Sequence, residues 1–183
     1  PELPDGRVRF LDDDERTRLL QACKESNNNW LYLCVTLALS TGMRQGELMG
    51  LKWPDVNTKD GFAILHKTKN GEKRRVAIVG YALELLQEHC KVRRLDTKLL
   101  FPGKLNPDKP IDLRKSFETA LKRAEITDFH WHDLRHCTAS YLAMNGASLA
   151  EIAEVLGHKT LSMVKRYAHL SDGHLSTVVE SMN

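Results

Sequence analysis

The chain has 183 residues, of which 42% are hydrophobic and 28% are charged, and its formal net charge is +3. This length suits one globular domain with its own core, and the composition excludes a disordered chain. No apolar run reaches the roughly 18 to 20 residues of a membrane-spanning helix. The four cysteines are scattered without a CxxC pair, so we expect reduced thiols in an intracellular protein.

The N-terminal part of the chain is predicted to form two helices after a linker of residues 1–9. Asp12 can cap the first helix, and Glu15 stands where a capping box requires a carboxylate. The second helix is strongly apolar, runs from about Trp30 to Ser40, and should be central to the core. Gly42 is expected to end it.

A short third helix is predicted to follow the turn at Gly42, with Arg44 near its start and Leu48 and Leu51 on its inner face. An arginine at the start of a helix, behind a glycine turn, is well placed to bind an anion. The alternative is an ordinary ion pair between Arg44 and Glu47, three residues later. The sequence leaves both interpretations open.

A β-hairpin is predicted next, because two strand-like runs flank Asn70-Gly71. Lys69 lies at the lip of this turn, where its ammonium could reach a substrate or simply be solvated. Basic residues concentrate here and near the C-terminal end, in a chain whose charge is otherwise nearly balanced. Such zones fit a phosphate-facing surface, and the candidates are Lys67, Lys73, Arg74, Lys159, Lys165 and Arg166.

The middle of the chain continues with a helix at about Tyr81–Lys91, a short strand at Leu99–Phe101 and a helix at about Asp112–Ala124. Further on, Ser148 and Glu151 form a capping box that starts another helix. These elements predict a mainly α fold with a small antiparallel β-sheet (α+β), in a single domain over residues 1–183.

Near the C-terminus, polar residues are tied to short helices. His132 and Arg135 are three residues apart, so one helical turn places both on one face. Gly157 is expected to end the helix that Ser148 starts, which leaves His158 just beyond a helix end. A final helix is predicted around Leu161–Tyr167.

Taken singly, each of these polar residues has an ordinary structural explanation. Their combination is more informative, because histidine moves protons near neutral pH and arginine offers a planar fork for phosphate oxygens. Tyrosine, with a reference pKa of about 10, becomes a nucleophile once its proton is removed. The set indicates chemistry on a phosphate, and its members are Arg44, Lys69, His132, Arg135, His158 and Tyr167.

These motifs resemble the catalytic domain of the tyrosine recombinases, the phage integrase family. Val164 and Cys137 stand where that family often has threonine, and neither is a catalytic position. The family's N-terminal DNA-binding domain is expected to be absent. The matching pieces span nearly the whole chain and are Thr41–Leu48, Lys67–Gly71, His132–His136, Leu156–His158 and Arg166–His169.

The resemblance implies a site-specific DNA recombinase or integrase of a mobile genetic element. Such an enzyme cleaves and rejoins DNA strands through a 3′-phosphotyrosine intermediate, without metal, ATP or other cofactor. Arg44 and Arg135 would hold the non-bridging oxygens of the scissile phosphate. Tyr167 would attack phosphorus while His132 acts as general base. Lys69 would protonate the leaving 5′-oxygen.

The remaining residues of the motifs receive lesser roles. His158 would donate a hydrogen bond to the phosphate. Glu47 and Asp133 are assigned to support, orienting an arginine or the backbone. His136 and His169 are interpreted as structural.

The implied partner is double-stranded DNA, contacted by the six basic candidates named above. We expect a homotetramer on DNA and a monomer in isolation, with the tail 172–183 exchanged between subunits. The expected location is the cytoplasm of a bacterium, on the nucleoid, with a bacterial or prophage gene. No membrane partner and no small-molecule substrate are expected.

Three alternatives stay open at this point. One is a non-catalytic DNA-binding or assembly module of the same fold. Another is a zinc hydrolase, because His132 and His136 have the i, i+4 spacing of a helical zinc pair, although Asp133 stands where the usual glutamate base would be. The third is a type IB topoisomerase, which would use the same cleavage and rejoining chemistry to relax supercoils.

Overall fold

The computed structural model describes residues 8–66 and 73–171. Within these ranges the chain is mainly helical, which confirms the predicted fold class. The α-helices are α1 (Asp13–Lys24), α2 (Leu31–Thr41), α3 (Gln45–Met49), α4 (Gly80–Cys90), α5 (Arg114–Arg123), α6 (Asp133–Met144) and α7 (Leu149–Leu156). Short 3₁₀-helices span Trp53–Asp55, Leu161–Met163 and Lys165–Ser171.

A three-stranded antiparallel sheet accompanies the helices, with strand order β1 (Val56–Asn57), β2 (Phe62–Leu65) and β3 (Arg74–Ala77). Strands β2 and β3 pair from Phe62 opposite Ala77 to Leu65 opposite Arg74. This pairing confirms the two predicted strands of the hairpin. The turn between them, with Asn70-Gly71, Lys67 and Lys69, lies outside the described residues.

Both predicted capping boxes are present. The Glu15 amide donates to Asp12 Oδ1 at 2.7 Å, and the Asp12 amide donates to Glu15 Oε2 at 3.2 Å. Ser148 and Glu151 make the equivalent pair of bonds at the start of α7. Each box satisfies amide donors that the first turn of a helix would otherwise leave without a partner.

Gly42 ends α2 in the left-handed conformation, with φ at +61°. A Cβ at this position would lie 2.6 Å from Leu156 Cδ2 and 3.3 Å from Thr138 Cγ2. Glycine is therefore required twice, by the backbone angle and by the close approach of α6 and α7. The resulting turn places Arg44 at the N-terminus of α3.

The core is organised around α2, which buries eight of its eleven residues and packs against α1, α4 and α6. A second, smaller cluster joins α6 and α7 to the last 3₁₀-helix. Its buried members are Ala139, Ala143, Ile152, Ala153, Leu156, Val164 and Tyr167. Apolar burial of this kind fixes the C-terminal segment, and Tyr167 with it, against α6.

Two predicted elements differ from the structure, one in type and one in the kind of helix. The run Leu99–Phe101 makes an isolated bridge between Leu99 and Lys52 and does not form a strand. It is followed by Pro102, which has no amide hydrogen to extend a ladder. The predicted last helix is a pair of 3₁₀-helices, in which Tyr167 N donates to Val164 O at 3.0 Å, the tighter i→i+3 pattern.

In the part of the chain that the structure describes, no helix combines the length and apolar character needed to cross a bilayer. All four cysteines fall within that part, and none of them forms a disulfide.

Candidate active site

One cavity of about 320 Å³ brings together every predicted catalytic residue that the structure describes. The residues come from the start of α3, the first turns of α6, the residue after α7 and the C-terminal 3₁₀-helices. Lys69 is outside the described residues, so its predicted place in the site stays a prediction. The lining residues are Arg44, His132, Arg135, His136, His158, Met163, Arg166 and Tyr167.

Arg135 is a buried lining residue of the cavity that is anchored by two backbone carbonyls. Its side chain is buried, with Nη1 donating to the Gly42 carbonyl and Nη2 to the Leu156 carbonyl, each at 2.6 Å. A guanidinium has more N–H donors than these two bonds use, so donors are left for a ligand. Burial lowers the pKa of Arg135 to about 10, and the nearby Arg44 and Arg74 contribute. The group still carries its charge at neutral pH.

Glu47 is a buried carboxylate, only 5% exposed, shared by two arginines. Its Oε1 accepts from Arg44 Nη1 at 2.9 Å, and its Oε2 accepts from the Arg44 amide at 2.9 Å and from Arg74 Nη2 at 3.0 Å. The ion pair between Arg44 and Glu47 is therefore present, and Arg44 also lines the cavity, where its role in binding an anion stays a prediction.

Arg74 was predicted to contact DNA, and the structure places it mostly inside the protein, with a side chain 12% exposed. Besides bonding Glu47, it donates through Nη1 to the Val155 carbonyl at 2.6 Å. Burial lowers its pKa. Arg74 thus joins β3 to α3 and to the end of α7, and it adds a third guanidinium near one carboxylate. Glu47 with Arg44, Arg74 and Arg135 forms a cluster with an excess of positive charge, which suits an anion.

His158 follows Gly157, the left-handed residue that ends α7. Burial lowers the pKa of His158 to about 4, and neighbouring arginines, Arg135 foremost, lower it further. The imidazole is therefore neutral at pH 7. Its Nδ1 is buried and has no hydrogen-bond partner among the described residues. A buried, unpaired ring nitrogen beside two arginines is an uncommon feature that a bound ligand would explain.

Tyr167 is only 2% exposed. Its hydroxyl lies 2.5 Å from His136 Nδ1. Burial raises the pKa of Tyr167 to about 12. The phenol is thus protonated, placed inside the cavity and bonded to an imidazole that the sequence analysis took to be structural.

His132 packs against the same imidazole, since the rings of His132 and His136 meet edge to face with centroids 5.3 Å apart. Asp133 is buried, and its Oδ2 accepts the His130 amide at 2.7 Å, a backbone contact of the supporting kind predicted for it. His169 is exposed and is not among the residues that line the cavity.

The contact that the sequence reasoning missed is between His136 and Tyr167. The available signal was the spacing of His132 and His136 at i and i+4, which puts both rings on one face of a helix. That spacing supported the zinc alternative instead. Among residues 8–66 and 73–171, no three His, Cys, Asp or Glu side chains come together as metal ligands.

Exposed lysines stand next to the cavity residues in the chain. Lys159 directly follows His158, and Lys165 is two residues before Tyr167; both are exposed. Lys73 is exposed just before β3. Arg166 is half-buried and lines the cavity itself. These placements are compatible with contacts to a nucleic-acid backbone beside the site.

The family model described as the phage integrase family matches residues 9–174. This chain belongs to the phage integrase family. The integrase-family domain is also 34% identical over 171 residues to the shufflon-specific DNA recombinase of Escherichia coli, an alignment that covers 93% of this chain and 42% of that protein. The integrase of Salmonella phage P22 is 32% identical over 190 residues, which cover 96% of this chain and 47% of that integrase.

Among solved structures, the catalytic domain of bacteriophage HP1 integrase aligns with a TM-score of 0.74 and 32% identity, covering 95% of both chains. The integrase-family domain therefore has the fold of a tyrosine recombinase catalytic domain. It spans less than half the length of the two relatives named above.

Proposed function

We propose that this chain is the catalytic domain of a site-specific DNA recombinase or integrase. It cleaves and rejoins double-stranded DNA through a 3′-phosphotyrosine intermediate. One observation carries the proposal: the buried Tyr167 hydroxyl shares a single cavity with Arg44, Arg135 and His158. A nucleophile, two cations and a neutral imidazole around one space fit attack on a phosphodiester.

The arginines supply the electrostatic part of the reaction. Arg135 is anchored by two backbone carbonyls, and Arg44 is anchored by Glu47. Because both are fixed before any phosphate enters, little reorganisation is required as negative charge builds on the phosphoryl oxygens. His158, which is neutral, can donate a hydrogen bond to the same oxygens from one ring nitrogen.

The chemical step needs two proton transfers. The phenolic proton of Tyr167 must leave, since a pKa of about 12 keeps the nucleophile almost entirely protonated at neutral pH. The His132–His136 pair stands beside it. The 5′-oxygen must gain a proton, because a free alkoxide leaves slowly; Lys69 is the group predicted for this role.

Cleavage in this scheme conserves the energy of the phosphodiester in the tyrosine–phosphate bond. A 5′-hydroxyl can therefore attack the intermediate and restore a DNA strand without an energy source. Attack by a 5′-hydroxyl from a second duplex gives recombination, and attack by the original one gives restoration.

Double-stranded DNA is the proposed partner, and Lys73, Lys159, Lys165 and Arg166 are the described residues proposed to contact its backbone. We propose a tetramer on DNA and a monomer without it, with residues 172–183 reaching a neighbouring subunit. The proposed setting is the nucleoid, in the cytoplasm of a bacterium.

The experiment is covalent trapping on nicked duplex DNA that carries a target sequence selected from a random library. The expected result is a protein–DNA band on denaturing gels for the wild type and for the control Tyr81→Phe, whose tyrosine is exposed. Tyr167→Phe should bind the same DNA and give no band. A band from Tyr167→Phe would reassign the nucleophile, and bound DNA without a band from the wild type would indicate a non-catalytic module.

A further inference from the structure

The hydrogen bond between His136 and Tyr167 joins two elements that are distant in sequence. His136 lies one turn into α6, and Tyr167 lies 31 residues later in the last 3₁₀-helix. Both side chains line the cavity. The contact therefore involves the oxygen that attacks phosphorus under the proposed function.

The pKa values of the two groups restrict the forms in which this bond can be made. Burial lowers the pKa of His136 to about 4, with His132 as the next cause, and burial raises that of Tyr167 to about 12. At neutral pH the imidazole is uncharged and the phenol is protonated. In the tautomer that carries the ring proton on Nε2, Tyr167 donates and His136 Nδ1 accepts. The proton transfer requires this tautomer.

The charged and titratable groups that face His136 come from two elements. Asp133 and Arg135 lie on α6 and His132 directly precedes it, and Arg166 and Tyr167 lie on the last 3₁₀-helix. Most of these groups disfavour a positive charge on the ring. A phosphate entering the cavity brings negative charge, which favours the protonated imidazole. His136 is therefore a poor base in the unbound protein and a better one once DNA is in place.

We propose that His136 Nδ1, and not His132 as the resemblance implied, accepts the phenolic proton of Tyr167 during strand cleavage, with His132 packed edge-on against the receiving ring. This inference rests on the proposed function. As the bond between Tyr167 Oη and phosphorus forms, the bond between phosphorus and the 5′-oxygen breaks. The phenolic proton moves to Nδ1, and the 5′-oxygen leaves with a proton from the general acid, predicted to be Lys69. Rejoining runs the same transfers in reverse.

The test compares His136→Asn with His136→Ala on the nicked duplex. Asparagine keeps an amide oxygen near the position of Nδ1, so it can accept the hydrogen bond but cannot take the proton. General-base catalysis contributes about 10²- to 10⁴-fold, so both variants should cleave at least about 100-fold more slowly than the wild type. His130→Asn is the matched control, because His130 is exposed and close to the same helix.

A cleavage rate for His136→Asn within about threefold of the wild type would overturn the proposal, since it would show that hydrogen bonding suffices without general-base catalysis. Thermal melting and DNA affinity of each variant identify any loss that comes from misfolding. If the wild type forms no adduct, the proposed function fails and this step fails with it. If the wild type forms the adduct and His136→Asn cleaves equally fast, the proposed function stands and only the general-base role of His136 is rejected.

The pH dependence gives a readout that a structural role would not change. At DNA concentrations well below saturation the rate reports the groups of the unbound protein. Between the pKa values of His136 and Tyr167 the wild-type rate should then be nearly flat from pH 6 to 9. His136→Asn has no base, so its residual rate should follow the ionised fraction of Tyr167 and rise about tenfold per pH unit. A flat profile for this variant would contradict the proposal.

A measurement without DNA tests the contact itself. In ¹⁵N NMR spectra of the histidine rings, His136 should show an unprotonated Nδ1 at pH 7. Its resonance should shift in Tyr167→Phe and stay in place in Tyr81→Phe. An unchanged resonance in Tyr167→Phe would show that the hydrogen bond is not made, and the proposal would fall.

Discussion

Removal of the charge of Glu47 by Glu47→Gln should destabilise the domain strongly. The carboxylate is 5% exposed and bonds Arg44 and Arg74, whose side chains are 21% and 12% exposed. Breaking a buried ion pair by removing one partner costs about 3 to 5 kcal/mol. Because both arginines keep some contact with solvent, we expect the lower end, about 3 kcal/mol. For a domain of this size that corresponds to a fall in Tm of roughly 6 to 12 °C.

Urea denaturation measures the free energy of unfolding, and Glu84→Gln is the control because Glu84 is exposed on α4. The control removes the same charge and should change stability by less than about 0.5 kcal/mol. A loss below about 1 kcal/mol for Glu47→Gln would refute the reasoning, since it would place the pair in the range of exposed salt bridges.

The same variant tests whether the cluster selects anions. Without its carboxylate the cluster keeps the guanidinium groups of Arg44, Arg74 and Arg135 and loses their counter-charge. We expect inorganic phosphate to bind the cluster in the folded state only, so it should raise the Tm of Glu47→Gln more than that of the wild type. Chloride at equal ionic strength is the control for general screening. Equal shifts in both proteins would contradict an anion-selective cluster.

Gly42→Ala should lower the free energy of unfolding, measured by urea denaturation, by about 1 to 3 kcal/mol because of its positive φ and its contact with Leu156. The control Gly46→Ala has nothing within 4 Å of the added Cβ and should be neutral or stabilising. Equal effects of the two substitutions would contradict the role of packing at Gly42. The pKa of His158 is about 4 in the folded protein, against a reference of 6.5. Above pH 6.5 the imidazole is neutral in both the folded and the unfolded protein. Between pH 6.5 and 4 the unfolded chain binds a proton at His158 that the folded protein does not. The free energy of unfolding should therefore fall as the pH drops from 6.5 towards 4, and fall less in His158→Gln; parallel curves would exclude the contribution of His158. Lys69→Ala should lose cleavage and recover it on DNA with a bridging 5′-sulfur, a better leaving group, and no recovery would assign the acid elsewhere. Binding of this domain to DNA should be weak and should weaken steeply with salt, because contacts to phosphates release counterions. An affinity that stays constant between roughly 50 and 200 mM salt would contradict a surface that contacts the DNA backbone.

The parts of the fold that follow local rules could be read from the sequence. The capping boxes at Asp12 and Ser148 depend on residues three apart, and the left-handed ends at Gly42 and Gly157 depend on single glycines. The strands on either side of Asn70-Gly71 also depend on neighbours in the chain.

The features that could not be predicted depend on residues far apart in sequence. Arg74 and Glu47 are 27 residues apart and Tyr167 and His136 are 31 apart, and nothing local indicates either contact. Arg74 was predicted from its charge alone to face DNA. Its charge does not indicate that Arg74 pairs with the buried carboxylate of Glu47 on α3.

The most direct test of the central claim is to identify the residue that carries DNA after cleavage of a nicked duplex. Trapped adducts would be digested with nuclease and protease and analysed by mass spectrometry. The account predicts a nucleotide attached to the peptide at Tyr167, through the phenolic oxygen, and no such mass in Tyr167→Phe. A nucleotide on another residue, such as Tyr141 or Tyr32, would contradict it.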